Sequence, residues 1–223
     1  MLPTTTNFTS AGNTIQAELF IPPGTTNRGA IIIAHGSDGM VDNANGPWLT
    51  MMRGYAGDLS DKGFVTLIPD YLAGNHSVDF LQLPLYQATL ADAVAFAKTL
   101  PGVDAARIGL LGFSLGGHLC LRNRALAKVL VEFFAPELPE LGGVGTAGNP
   151  MLHAQIHHGD KDGVAPLKLN AESLELRLRA EGADVTLFPY SGAGHGFSGK
   201  HPGDVTAQQK SKERTLAFFK KNL

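Results

Sequence analysis

The chain has 223 residues, 43% hydrophobic and 17% charged, so it can bury a full core, and both disorder and collagen-like structure are excluded. Its 18 Lys and Arg against 20 Asp and Glu give a net charge of −2, which argues against nucleic-acid binding. One cysteine, Cys120, excludes an intramolecular disulfide and a cysteine-based zinc cluster. No secretory signal and no apolar run of the ~20 residues that cross a bilayer are visible, so we expect a cytoplasmic protein without a membrane partner.

Short apolar runs alternate with amphipathic segments along residues 1–223, which we interpret as one domain. The predicted strands cover residues 14–21, 30–34, 64–68, 107–111, 129–134, 154–157 and 185–188. Helices are predicted before Pro101, over residues 167–178 and from about Asp204 onward. Strands that alternate with helices form βαβ units. The pattern therefore predicts an α/β fold, a mainly parallel sheet of about seven or eight strands with helices on both faces.

A glycine-rich motif follows the strand at 107–111. Residues 112–117 read Gly-Phe-Ser-Leu-Gly-Gly and open a helix. The spacing G-x-S-x-G suits a sharp strand-to-helix turn that pushes the serine out above the sheet edge. Amide groups at a helix N-terminus face developing negative charge. We therefore predict that Ser114 is a nucleophile.

A serine hydroxyl needs a base, and the base needs an orienting acid. His195 lies among three glycines just after the strand at 185–188, and we predict that it is the base. Two aspartates compete for the role of acid in the loop at 158–166. Asp162 is favoured because it lies at the loop apex, whereas Asp160 is predicted to form a turn with its own backbone.

The remaining parts of such a site are donors for an oxyanion and a substrate pocket. We predict that the donors are the backbone amides of Leu115 and of Ser37, which lies in the glycine-containing loop at 35–40. No metal-ligand cluster is apparent, and neither a metal nor an organic cofactor is predicted. The candidate pocket residues, for which core packing is the alternative, are Trp48, Met51, Tyr71, Phe80 and Phe197.

In this order, the His-Gly loop, the G-x-S-x-G-G turn, the G-x-x-D loop and G-x-G-H-G-F resemble the α/β-hydrolase fold. Within that fold the chain resembles the dienelactone hydrolase family over essentially all of its length. The resemblance implies a carboxylic ester hydrolase acting on a small-molecule ester, with Ser114, Asp162 and His195 as its triad. A thioesterase or an acyltransferase would use the same residues. A C–C hydrolase, a haloperoxidase-like enzyme and a non-catalytic ligand-binding relative share the fold.

Two departures from that family concern the substrate. Dienelactone hydrolases carry a cysteine where this chain has Ser114. They also hold the substrate carboxylate with arginines, one after the third sheet strand and one just beyond the catalytic histidine. This chain has no arginine between Arg53 and Arg107, and Lys200 is the cation that follows His195 most closely. We therefore expect an uncharged ester to suit the site better than a dienelactone.

Overall fold

The computed structural model describes residues 2–24, 26–74, 77–145 and 152–223. Its eight strands form one sheet in the order β1-β2-β4-β3-β5-β6-β7-β8. The first two strands pair antiparallel with their neighbours and the others are parallel, which confirms the predicted α/β class. The strands are β1 (Thr4–Ser10), β2 (Asn13–Phe20), β3 (Arg28–Ala34), β4 (Val65–Pro69), β5 (Val103–Phe113), β6 (Val129–Phe133), β7 (His153–Gly159) and β8 (Asp184–Tyr190).

Helices cover both faces of this sheet. Those in the described ranges are α1 (Trp48–Asp61), α2 (Leu83–Thr99), α3 (Leu115–Arg122), α4 (Ser173–Ala180) and α5 (Asp204–Asn222). Helices α2, α3 and α4 pack on one face, and α1 and α5 pack on the other. All seven residues of β3 are buried as a result, as expected for a strand covered on both faces. Every helix in the described ranges is too short or too polar to span a bilayer.

The structure adds two elements that the sequence pattern did not predict. Strand β1 contains mostly exposed polar residues, and only Phe8 and Ser10 are buried, so its strand character comes from pairing with β2. Helix α1 buries Met52, Tyr55 and Leu59 on one face, which is ordinary helical spacing. The helix predicted over 167–178 begins with a π-helical turn and continues as α4.

The carboxyl ends of the parallel strands lie at one edge of the sheet. Strands β3, β5, β6, β7 and β8 are successive neighbours, so the segments that follow them converge at that edge. Ligands of open α/β sheets bind outside the carboxyl ends of the strands. This topology brings the loop at 35–40 and the segments around Ser114, Asp162 and His195 into one place.

Candidate active site

Ser114 occupies a strained turn between β5 and α3. Its backbone angles are φ 51° and ψ −118°, in a region that residues other than glycine rarely adopt. A Cβ atom on Gly112 would overlap the carbonyl of Gly116, and a Cβ atom on Gly116 would overlap the carbonyl of Ala34. Both motif glycines are therefore required by the close approach of backbone segments, as a nucleophile turn of this type demands.

The side chain of His195 lies between Ser114 and Asp162. The hydroxyl of Ser114 donates to His195 Nε2 at 3.0 Å, and His195 Nδ1 donates to Asp162 Oδ2 at 2.8 Å. A carboxylate can only accept, so Nδ1 carries the hydrogen and Nε2 is left to accept the serine proton. The structure thus brings the three predicted residues together, each from a segment after a different strand.

The carboxylate of Asp162 is buried and fully engaged. Its Oδ1 accepts from the amides of Val164 at 2.9 Å and Ala165 at 2.7 Å. Its Oδ2 lies 3.3 Å from Nε2 of His158 as well as next to His195. Burial by itself raises the pKa of this carboxyl, but the hydrogen bonds with His158 and His195 outweigh burial and hold the pKa well below its usual range. Asp162 therefore remains ionised.

The competing aspartate, Asp160, has a different partner. Its exposed side chain accepts from the amide of Gly192 at 2.7 Å, which ties the loop after β7 to the loop after β8. The expected turn with its own backbone is thus replaced by a bond to another segment, because the two loops run side by side. Of the two aspartates, the structure places Asp162 against His195.

Both predicted oxyanion donors flank the nucleophile. A Cβ atom on Gly36 would lie 3.6 Å from Cβ of Ser114, and the next residue, Ser37, lines the same cavity as Ser114. Leu115 is the first residue of α3, where amides have no partner inside the helix. The amides of Ser37 and Leu115 therefore belong to two backbone segments that adjoin Ser114.

A cavity of about 570 Å³ opens above Ser114 and His195. Two of the predicted pocket residues, Trp48 and Met51, line it. The other apolar side chains of its wall are Met52, Phe113, Phe134 and Val164. The charged and polar side chains at its rim are Asp38, Asn45, Lys161, Ser198, Lys200 and His201.

The other three predicted pocket residues do not line this cavity. Tyr71 is 3% exposed, its hydroxyl donates to the carbonyl of His35, and its ring stacks on the ring of His35 at 3.8 Å. Phe197 is 2% exposed and packs edge-on against Phe134, with ring centroids 5.2 Å apart. Phe80 lies on a short surface turn. Their aromatic character is explained by packing, because residue type alone does not fix the direction of a side chain.

Trp48 connects two of the loops around the cavity. Its indole N–H donates to Asp38 Oδ2 at 2.9 Å, next to the predicted oxyanion segment. A Cβ atom on Gly196 would lie 2.7 Å from the indole ring, so the loop that carries His195 fits closely against it. The hydrogen bond from Trp48 to Asp38 was not predicted, although Asp38 lies within the glycine-containing loop at 35–40. Because Asp38 directly follows Ser37, the predicted oxyanion donor, the sequence could have marked Asp38 as a residue of the site.

The loop around His195 is fixed by helix α5. The buried carboxylate of Asp204 accepts from the amides of Gly194 at 2.8 Å, Gly199 at 2.9 Å and His201 at 3.0 Å. These amides lie on both sides of His195, so Asp204, the first residue of α5, fixes the conformation of the loop. Across the described ranges, no group of three or more His, Cys, Asp or Glu side chains is arranged to hold a metal ion.

Comparison with known proteins gives a family match over most of the chain. The dienelactone hydrolase family matches residues 15–223. A probable 2-oxo-3-(5-oxofuran-2-ylidene)propanoate lactonase from Bradyrhizobium sp. is 30% identical over 203 residues, 78% of this chain and 79% of that protein. A relative from Synechocystis sp. is 29% identical over 117 residues, which are 48% of this chain and 47% of the relative. The chain thus matches about half the length of that second relative.

Solved structures share the fold at low sequence identity. A dienelactone hydrolase-like promiscuous phosphotriesterase from metagenomic libraries superposes with a TM-score of 0.81 at 20% identity. The superposition covers 99% of this chain and 98% of that one. The sheet and helices described above are therefore shared over their whole extent.

Proposed function

Because the chain belongs to the dienelactone hydrolase family, we propose that it hydrolyses carboxylic esters through an acyl-enzyme formed on Ser114. Family membership supports a hydrolase of small molecules. The serine mechanism is supported above all by the continuous hydrogen bonding from Ser114 through His195 to an ionised Asp162. A serine hydroxyl is a weak nucleophile at neutral pH, and this arrangement supplies the base that it lacks.

The first half of the reaction forms the acyl-enzyme. His195 Nε2 removes the proton of Ser114 as Oγ attacks the carbonyl carbon of the ester. The carbonyl oxygen becomes an oxyanion, to which we assign the amides of Ser37 and Leu115. The tetrahedral intermediate collapses, the C–O bond to the alcohol breaks, and His195 returns the proton to the leaving alcohol. The Asp162 carboxylate stabilises the imidazolium between the two transfers.

Water completes the second half. His195 takes a proton from the water that attacks the acyl carbon, and the same oxyanion position is used again. Collapse breaks the bond to Oγ and releases the carboxylic acid, while the proton returns to Ser114. A metal ion or organic cofactor is not needed to balance these steps.

The cavity indicates the chemistry of the substrate. Its inner wall consists largely of Met, Phe and Trp side chains, which suit an uncharged acyl group. The cations at its rim, Lys161 and Lys200, are exposed and hydrated, and neither forms the rigid bidentate fork by which an arginine holds a carboxylate. We therefore assign neutral esters as the preferred substrate class.

A panel of p-nitrophenyl esters of increasing acyl length, assayed beside a dienelactone, tests this proposal. The wild-type chain should hydrolyse the short neutral esters, and Ser114→Ala should not. Ser198 lines the same cavity and is a matched control, so Ser198→Ala should retain activity within a few-fold. Hydrolysis by the Ser114 variant at a tenth of the wild-type rate would refute the mechanism.

The covalent step can be tested separately with a p-nitrophenyl phosphotriester. The structural neighbour is called a promiscuous phosphotriesterase, so at least one protein of this fold is described as acting on phosphorus esters. Attack by Ser114 Oγ would form an O–P bond and release p-nitrophenolate. Mass spectrometry should find one phosphoryl adduct, on the peptide that contains Ser114. An adduct on another residue would contradict the assignment.

A further inference from the structure

Two ionisable side chains that the triad does not use are buried behind Asp162. His158 and Glu132 both have 0% exposure. Glu132 on β6 pairs in register with Ile156 on β7, two residues before His158. Residues two apart on a strand point to the same face, so Glu132 and His158 are diagonal neighbours on one face of the sheet.

In the ring of His158, one nitrogen has hydrogen-bond partners among the described residues and the other has none. Nε2 lies 2.6 Å from the carbonyl oxygen of Ala165 and 3.3 Å from Oδ2 of Asp162. Both partners can only accept, so Nε2 must carry a hydrogen. Nδ1 is buried and has no hydrogen-bond partner among the described residues.

The carboxylate of Glu132 shows the complementary pattern. Its Oε2 accepts from the amide of Ala135 at 2.9 Å, whereas its buried Oε1 has no hydrogen-bond partner in the described ranges. Gly117 on α3 lies next to the group, because a Cβ atom there would be in van der Waals contact with Oε2 at 3.5 Å. A carboxyl group in such a position requires either a proton or a nearby positive charge.

The two groups compete for one proton. Burial raises the pKa of Glu132 to about 7, although the charge of His158 opposes the rise. Burial lowers the pKa of His158, but its hydrogen bond with Asp162 and the charge of Glu132 outweigh burial and raise it. Cys120 on α3 also faces Glu132, and burial raises the pKa of this thiol so that it stays neutral. His158 contacts the ionised Asp162 directly, and this contact favours the proton on His158.

We infer that His158 is a positioning residue for Asp162, held as an imidazolium in contact with the carboxylate of Asp162 and diagonally across from the buried Glu132 on the neighbouring strand. This inference rests on the proposed function, in which Asp162 is the acid. A positive charge behind Asp162 weakens the negative field at His195. The base therefore stays unprotonated, and active, at a lower pH than it would beside an uncompensated carboxylate.

The pH profile of kcat/KM on a neutral ester tests this role. In His158→Gln and in Glu132→Gln the acid limb should move upward by about half to one pH unit, because the compensating charge is lost. The double variant should move no further than His158→Gln. Glu137→Gln is the control: Glu137 is also buried but pairs with Arg177, and its limb should stay in place. A lower kcat with an unmoved limb in the two test variants would overturn the inference.

Nitrogen NMR of the histidine rings provides a readout that needs no activity. At pH 7 the signal that His158→Gln removes should show both ring nitrogens protonated in the wild type, and one in Glu132→Gln. A singly protonated His158 in the wild type would overturn the inference even if the variants have no activity. A doubly protonated His158 in a wild-type chain without esterase activity would support the charge arrangement and refute the proposed function.

Discussion

The triad and the rim of the cavity lie within one site, but they are held in place to very different degrees. Asp162 is fixed by four hydrogen-bonding neighbours, and the turn at Ser114 is locked by backbone contacts. The rim includes exposed side chains such as Asn45, Lys161 and Lys200. The proposed catalytic residues are therefore positioned by buried and backbone contacts, whereas the proposed substrate preference depends on exposed side chains that can change at little cost to the fold.

Removing the nucleophile should have the largest effect. Ser114→Ala should lower kcat by on the order of 10⁶, because it removes the hydroxyl that is hydrogen-bonded to His195 Nε2. Thermal unfolding of the variant should match the wild type to within a few degrees, since the substitution keeps the Cβ atom and the backbone of the turn. A large loss of stability would mean that the hydroxyl also has a structural role.

The second largest effect separates the two aspartates of one loop. Asp162→Asn should lower kcat by about 10⁴, because the amide favours the wrong tautomer of His195. Asp160→Asn changes the same atoms two residues away, where the side chain holds the amide of Gly192. It should alter stability slightly and kcat by no more than a few-fold. The opposite result in this pair would transfer the role of acid to Asp160.

Acid should destabilise the fold through three buried histidines. Burial lowers the pKa of His35 and His118 to about 4 and that of His157 to about 3. The unfolded chain then binds more protons than the folded chain between about pH 4 and 6.5, so the free energy of unfolding should rise with pH there. Each group contributes up to about 1.4 kcal/mol per pH unit. The raised pKa of Glu132 acts in the opposite direction, but it is one group against three.

Urea unfolding at pH 4.5, 5.5 and 6.5 measures this slope. His118 Nδ1 donates to the carbonyl of Pro136 at 3.0 Å, so His118→Gln keeps a possible donor and removes the titration. The variant should show a shallower rise of the unfolding free energy with pH. An unfolding free energy that is constant over this range in the wild type would contradict the prediction.

The lysines at the rim, which do not form an arginine clamp, should lead to a preference for neutral over anionic substrates. Short neutral esters should exceed a dienelactone in kcat/KM by about 10- to 150-fold, which corresponds to roughly 1.5–3 kcal/mol in transition-state binding. Arg53 pairs with Glu18 and Arg124 with Glu181, so neither supplies the missing clamp. Repeating the assay at high salt should slow the anionic substrate further, since exposed lysines are screened. Equal efficiency on both substrates would show that the rim cations act as a true anion site.

The smallest predicted effect concerns the link between the loops. Trp48→Phe removes the hydrogen bond to Asp38 but keeps an aromatic ring against Gly196. We expect KM to rise a few-fold and the unfolding free energy to fall by about 1 kcal/mol, the usual net value of one such bond. Trp48→Ala should be clearly worse on both measures. Equal effects of the two variants would show that the hydrogen bond, rather than the ring, carries the contribution.

The fold class could be predicted from the sequence because parallel strands buried on both faces have continuous apolar runs, such as residues 30–34. The position of Ser114 was predictable for a related reason: a side chain at Gly112 or Gly116 would overlap neighbouring backbone, so the motif has few alternatives. Strand β1 lacks such a signal, because an exposed edge strand depends on pairing with its neighbour for its structure.

The substrate pocket was only partly predictable. Trp48 and Met51 line the cavity, but Tyr71 and Phe197 pack away from it, and residue type (aromatic or Met) was the only signal for all four. The contact between His158 and Asp162 could not be predicted either, because the sequence position of a histidine near the end of a strand does not indicate its partner. Its contacts arise from the turn that brings Ala165 back over β7. Such tertiary contacts leave no periodic pattern in the chain.

Trp48 is the only tryptophan in the chain, and it lies in the wall of the cavity between the loop that holds Asp38 and the loop that carries His195. The intrinsic fluorescence of the protein therefore originates at the mouth of its candidate active site. A bound acyl group that displaces water from the indole should shift the emission to shorter wavelength, without any added label. Stopped-flow measurements of this signal would follow substrate arrival, acylation and product release in a single trace.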